Sequence, residues 1–167
     1  MAGDRMKQVH GQTELGHAGH DRLSGKVTFA AWIRVEGLIP HRGPALLVES
    51  IAEVRPDRIV CWGRVPPESP FAAEGKAPAF VGLEMGAQAA AVLEALGRGE
   101  PEDGGGPRVG YLVGIRDARL AVDLPVGRRL RVTARAAGGA PPLALYDVSV
   151  EDDGVEFARG LLSTYAA

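Results

Sequence analysis

The clearest period in the chain lies between residues 129 and 136. Leu130, Val132, Ala134 and Ala136 alternate there with Arg129, Arg131, Thr133 and Arg135. A two-residue repeat of this kind predicts a strand with one face buried and one in water. Two further strand-like runs, ALLVESIAEV (45–54) and RIVCWGRV (58–65), flank RPDR, where Pro56 suits a tight turn. The run FVGLEMGAQAAAVLEAL (80–96) has no two-residue alternation. It reads as a helix, apolar on nearly every side, with Pro78 at its first turn and Gly97 at its end. Beyond it, RVGYLVGIRDARLA (108–121) predicts a strand with a bend at Gly114. LALYDVSVE (143–151) and VEFARGLLSTYA (155–166) predict two more, joined by a hairpin turn at Asp152-Asp153-Gly154.

Between these elements lie a Pro-rich loop at 66–78, leading into the helix, and a Gly-rich connection at 97–107. Residues 1–26 hold few large apolar side chains and no period. They are expected to form a flexible leader before a single domain spanning 27–167. His10, His17 and His20 fall in that leader without a fourth ligand nearby, so no metal site is expected from them.

Composition narrows the class. A 46% apolar and 24% charged chain is ordinary for a globular domain. A net charge of −2, with Lys and Arg scattered, gives no nucleic-acid footprint. Cys61 is the lone cysteine and fits a reducing cytoplasm. No run reaches the length of a membrane span, and no signal peptide is apparent.

The element order is two strands, one long helix, then about four strands. Without regular strand–helix alternation, a doubly wound parallel sheet is disfavoured. An apolar helix must be covered around most of its circumference. The expected class is therefore α+β, with an antiparallel sheet of about six strands curled around one central helix: a hotdog fold. Gly82, Gly86 and Ala90 form a small-residue stripe expected to let sheet backbone approach the helix.

Against this apolar helix, Glu84 stands out. Burying an unpaired carboxylate costs several kcal/mol, and Leu or Ala would serve packing better. It is either an acid paired with an arginine such as Arg42 or Arg116, a favourable charge in the first helical turn, or a general acid/base with a raised pKa. Gln88 lies one turn on and can orient Glu84 or bond a loop backbone. His41, in the constrained Pro40–Pro44 loop, is the second candidate for proton transfer.

The segments IPHRGPALLVESIAEV and GLEMGAQAAAVLEAL together resemble the β-hydroxyacyl-acyl-carrier-protein dehydratases of the FabA/FabZ type. DLPVGRRLRVTARA extends the resemblance, which covers roughly residues 38–165. It implies that Glu84 matches the family's catalytic helix acid and Gln88 its neighbour. It also shows a departure. The family's Gly-His-Phe-Pro-Gly loop supplies the base, whereas the corresponding FAAEGKAPAF here has no histidine. In this the chain is more similar to a divergent branch that includes the aryl-polyene cluster dehydratases.

The resemblance implies an acyl-carrier-protein or coenzyme A thioester as substrate, no cofactor, and a homodimer or a heterodimer with another hotdog protein. The expected reaction removes water from a 3-hydroxyacyl thioester. His41 serves as base, a proton-bearing Glu84 as acid, and amides around Ala79, Phe80, Val81 and Gly82 face the thioester carbonyl. A hotdog thioesterase and a non-catalytic partner subunit are the alternatives.

Overall fold

The computed structural model describes residues 34–98 and 110–166. The leader with its three histidines, and most of the Gly-rich connection, lie outside the described residues. A short 3-10 turn at Val35–Gly37 and another at Gly43–Ala45 precede β1 (Val48–Arg55) and β2 (Arg58–Gly63). β3 (Lys76–Ala77) leads to α1 (Val81–Arg98). Then come β4 (Gly110–Leu120), β5 (Leu124–Pro125), β6 (Leu130–Ala140), β7 (Leu143–Asp152) and β8 (Val155–Ala166). Six strands form one antiparallel sheet in the order β1-β2-β6-β7-β8-β4. β3 and β5 make a separate two-residue ladder, too short to have a readable period.

The sheet wraps α1, which packs on β1, β2, β6, β7 and β8. The expected α+β class and single central helix are the observed ones. On β6, Leu130, Val132 and Ala134 are fully buried, while Arg131 and Thr133 are half-buried and Arg135 exposed. Ala136, predicted to lie on the buried side, is exposed because β6 runs on beyond the helix into the β6–β7 hairpin. The β1–β2 hairpin closes with Arg55 opposite Arg58, leaving Pro56 and Asp57 as its turn. Between β7 and β8, Asp153 (φ 46°) and Gly154 (φ 80°) take the two left-handed positions of a hairpin turn.

Two differences refine the sequence reading. α1 extends one residue past Gly97, to Arg98. The small-residue stripe receives sheet side chains rather than sheet backbone. A Cβ on Gly86 would lie 2.7 Å from the Cβ of Val148, and one on Gly82 would lie 2.7 Å from the Cβ of Ala158. Glycine at these points seats the helix directly on β7 and β8.

The two sheet edges are unlike. β1 carries Glu49, Glu53 and Arg55 outward. β4 exposes Tyr111, Leu112, Val113 and Ile115, each 40–56% accessible. Its register against β8 slips at Leu112/Gly114, where the bend was predicted, and again at Arg116/Arg119, beside Asp117 at φ 52°.

Candidate active site

α1 delivers Glu84 and Gln88 on the face turned away from β7 and β8. Gln88 is fully buried. Its Oε1 accepts from the backbone N–H of Leu47 (2.9 Å) and Val48 (3.3 Å). Its Nε2 donates to Ala45 O (2.8 Å) and to Glu84 Oε1 (3.0 Å). One amide thus ties the segment Ala45–Val48 to the helix and orients the carboxylate. With its capacity spent in this way, Gln88 is a positioning group. It does both things the sequence allowed for it, orienting Glu84 and bonding the loop backbone.

Because Gln88 fixes Ala45–Val48, the loop just before it is brought over the start of α1. His41 Nε2 there lies 3.3 Å from Glu84 Oε1. Neither of the arginines considered as partners pairs with Glu84. The Arg42 guanidinium instead donates to Ile39 O and His41 O. Two residues 43 positions apart are therefore in contact, as the proton-transfer reading requires.

The charge state differs from the expected one. Burial pushes the Glu84 carboxyl upward, but hydrogen bonds from His41 and Gln88, together with the attraction of His41, outweigh it. The carboxyl is held below its ordinary value. A carboxyl held low favours the carboxylate form, where the sequence reading took Glu84 as a proton-bearing acid. Facing it, His41 Nε2 interacts favourably only with hydrogen on that nitrogen. His41 Nδ1 is buried and has no hydrogen-bond partner among the described residues.

Glu84 opens onto an apolar cavity of about 350 Å³. Pro44, Ala45 and Leu47 line one side, Phe80, Val81 and Leu83 the helix side, and Leu112 and Ile115 of β4 the far side. The loop before α1, where the resemblance expects a histidine, contributes Pro70 and Phe71. Phe71 meets Phe80 edge-on, with ring centroids 5.8 Å apart. Of the four positions expected near a substrate carbonyl, Phe80 and Val81 line the cavity, while Gly82 is buried against the sheet. The amides of Val81 and Gly82 are taken by Pro78 O (2.9 Å) and Ala79 O (3.0 Å). Those of Ala79 and Phe80 have no backbone acceptor among the described residues. Of these two, Phe80 lines the cavity and Ala79 does not, so the expected oxyanion donors narrow to the Phe80 amide.

The lining from β4 and from Pro70-Phe71 was not foreseen. Phe71, a large aromatic in a polar loop, was the available signal. Among the described residues no group of three or more His, Cys, Asp or Glu is placed to hold a metal. None of their helices is long and apolar enough to cross a membrane.

Comparison with known proteins decides the family. Residues 33–167 match the ApeP-like family, described as the ApeP dehydratase. The chain belongs to the ApeP-like dehydratase family. Among curated proteins it is 35% identical over 106 residues to the 3-hydroxyacyl-[acyl-carrier-protein] dehydratase FabZ of Anaeromyxobacter sp. (strain K), spanning 60% of this chain and 67% of that protein. It is 29% identical over 135 residues to FabZ of Streptococcus pneumoniae (strain CGSP14), spanning 77% and 92%. Among solved structures it resembles a chain of the dehydratase heterocomplex ApeI:P from Xenorhabdus doucetiae, with TM-score 0.71, 25% identity, and 81% and 92% of the two chains covered. A Streptococcus pneumoniae hypothetical thioesterase with coenzyme A shares the fold alone, at TM-score 0.52 and 13% identity over 70% of this chain and 84% of that one. The chain is thus a hotdog protein of the FabZ/ApeP dehydratase type.

Proposed function

We propose that the protein eliminates water from 3-hydroxyacyl thioesters of an acyl carrier protein, in a fatty-acid or aryl-polyene type pathway, to give trans-2-enoyl products. The observation that carries this reading is the contact of His41 Nε2 with the Glu84 carboxylate, 3.3 Å apart, at the wall of an apolar cavity. An apolar channel suits an acyl chain, and a polar pair at its wall suits a proton removed at one carbon and delivered at the next.

The ionised Glu84 reverses the roles expected from sequence. Its carboxylate accepts the α-proton. His41, carrying hydrogen on both ring nitrogens in this step, gives the one on Nε2 to the departing hydroxyl as the carbon–oxygen bond breaks and the double bond forms, leaving a neutral imidazole. The proton now on Glu84 then crosses to the bare Nε2, and the pair is restored without a cofactor. The amide of Phe80, next to the positive end of α1, faces the thioester carbonyl and supports its enolate charge.

The open edge of β4 supports a paired unit. A second hotdog chain, like or unlike this one, would cover its apolar side chains and close the cavity wall made by Leu112 and Ile115. The heterocomplex relative is an assembly of this kind by its description.

The test is intact-mass spectrometry of 3-hydroxyacyl carrier protein, with the coenzyme A thioester in parallel, incubated with wild type, Glu84→Gln and His41→Ala. Loss of one water by wild type, slowed by about 10²–10⁴-fold in each variant, is the expected result. Release of unacylated carrier instead would make the protein a thioesterase. No reaction, alone or with a second hotdog chain, would sink the dehydratase assignment.

A further inference from the structure

The way His41 is held identifies another residue that matters for the proposed chemistry. A histidine that moves protons is usually oriented through its second ring nitrogen, which bonds a carboxylate or a carbonyl. His41 has no such tie: Nδ1 is buried without a partner, and Nε2 already faces Glu84. The pose of the ring must therefore come from the backbone that carries it.

That backbone is anchored on both sides but not in the middle. Upstream, Val35 and Ile39 are buried in the core, and the turn is closed by Leu38 N–H to Val35 O (2.9 Å) and Ile39 N–H to Val35 O (3.2 Å). Downstream, Ala45 N–H reaches Arg42 O (3.2 Å), Leu46 N–H reaches Gly43 O (3.0 Å), and Gln88 holds Ala45 and Leu47, so the unanchored middle is Pro40-His41. Between these anchors Pro40 has no N–H. The amides of His41 and Arg42 make no backbone hydrogen bond among the described residues. The span is crossed by one side chain. Arg42 Nη1 donates to Ile39 O at 2.6 Å and to His41 O at 2.7 Å, gripping the chain on both sides of Pro40-His41. Both are charge-assisted contacts, and Arg42 makes no ion pair with a carboxylate among the described residues.

We propose that Arg42 is a positioning residue: by bridging the carbonyls of residues 39 and 41 it fixes the backbone that holds His41 Nε2 against Glu84. The proposal rests on the reading of His41 and Glu84 as the reactive pair. Arg42 lies at the surface, so its replacement leaves the core intact. Its loss frees the loop centre, and the His41–Glu84 contact becomes intermittent. A displacement of about 1 Å in such a contact is enough to cost roughly a hundredfold in rate.

The test uses the full chain and two readouts on wild type, Arg42→Gln, Arg42→Lys and His41→Gln. The first is an NMR titration of the Glu84 side-chain carboxyl, which needs no turnover. Since the His41 contact helps hold this carboxyl low, Arg42→Gln should raise its midpoint toward the value in His41→Gln, with Arg42→Lys in between. A role in stability alone would change the folded fraction and leave that midpoint where it is. The second readout is dehydration kinetics, where Arg42→Gln should lower kcat about tenfold or more with KM nearly unchanged. An unshifted Glu84 midpoint overturns the proposal. So does a rise in KM with kcat intact, which would make Arg42 a contact for the carrier. A shifted midpoint in a chain that dehydrates nothing would support the positioning role while rejecting the dehydratase reading.

Discussion

The two faces of α1 solve opposite problems with residues one turn apart. On the sheet face, Gly82 and Gly86 remove side chains so that Ala158 and Val148 reach the helix itself. On the loop face, Glu84 and Gln88 add polar groups within a stretch, Val81–Leu93, that is otherwise apolar. The first face is tuned for closeness and tolerates no added atoms. The second is tuned for direction: Gln88 Oε1, Gln88 Nε2 and Glu84 Oε1 each have a partner. Stability should therefore be concentrated on one side of the helix and chemistry on the other.

The strongest way to break this contrast is Gly86→Val. Its Cβ alone would lie 2.7 Å from both Cβ and Cγ2 of the buried, β-branched Val148 side chain. Helix propensity gains a few tenths of a kcal/mol at most, whereas overpacking costs about 3 kcal/mol or more. Urea denaturation should show a large loss of stability or no folded protein. If Gly86→Val is as stable as wild type, the tight seating of the helix is not what holds the sheet around it.

Gln88→Leu comes next, because it sits on the boundary between the two roles. It leaves the buried N–H groups of Leu47 and Val48 and the part-buried carbonyl of Ala45 without their partner, a loss of about 2–4 kcal/mol. It also withdraws one of the two hydrogen bonds that lower Glu84. Stability and kcat should fall together. A variant that lost only one of them would separate functions that the structure joins in a single amide.

Glu84→Gln is the smallest of the three in stability and the sharpest in meaning. Glu84 is 43% exposed, so the change near neutral pH is expected within about 1 kcal/mol, although turnover collapses. The pH dependence follows from the same carboxyl. A lowered carboxyl value means that its stabilising effect is complete above the ordinary glutamate range. That effect is lost as pH falls through the lowered value. Activity needing the carboxylate should have its acid limb below that range, and His41→Gln should move the limb to higher pH in whatever activity remains. A limb that stays put would mean that His41 does not touch Glu84 in solution.

Much of this arrangement was legible from residues alone. The alternation in 129–136, the Pro56-Asp57 and Asp153-Gly154 turns and the apolar helix were enough to expect the sheet and what it wraps. Periodicity reports burial on one face of one element, and these elements have clean faces. β3 and β5 were invisible because two residues have no period. The exposure of β4 was invisible for a different reason: apolar side chains on both faces read as burial, whereas an edge strand can keep them for a neighbour. At the site, Glu84 and His41 were each readable as chemical oddities. Their contact was not, since it depends on Gln88 gripping a loop some forty residues away. Nor was the charge on Glu84. Sequence signalled burial, which raises a carboxyl, but the two donors that reverse the direction exist only once the loop is folded over the helix.

Cys61 has a practical consequence for all these measurements. It is the chain's one cysteine, it is fully buried on β2, and burial pushes its thiol up to about 12. As a protonated thiol inside the core it is a poor nucleophile, so a folded molecule should resist alkylation at pH values where an unfolded one reacts. The rate of thiol labelling in native buffer then counts how often the sheet opens around the helix. Each variant thus carries its own clock for opening, readable by mass without an added dye or tag.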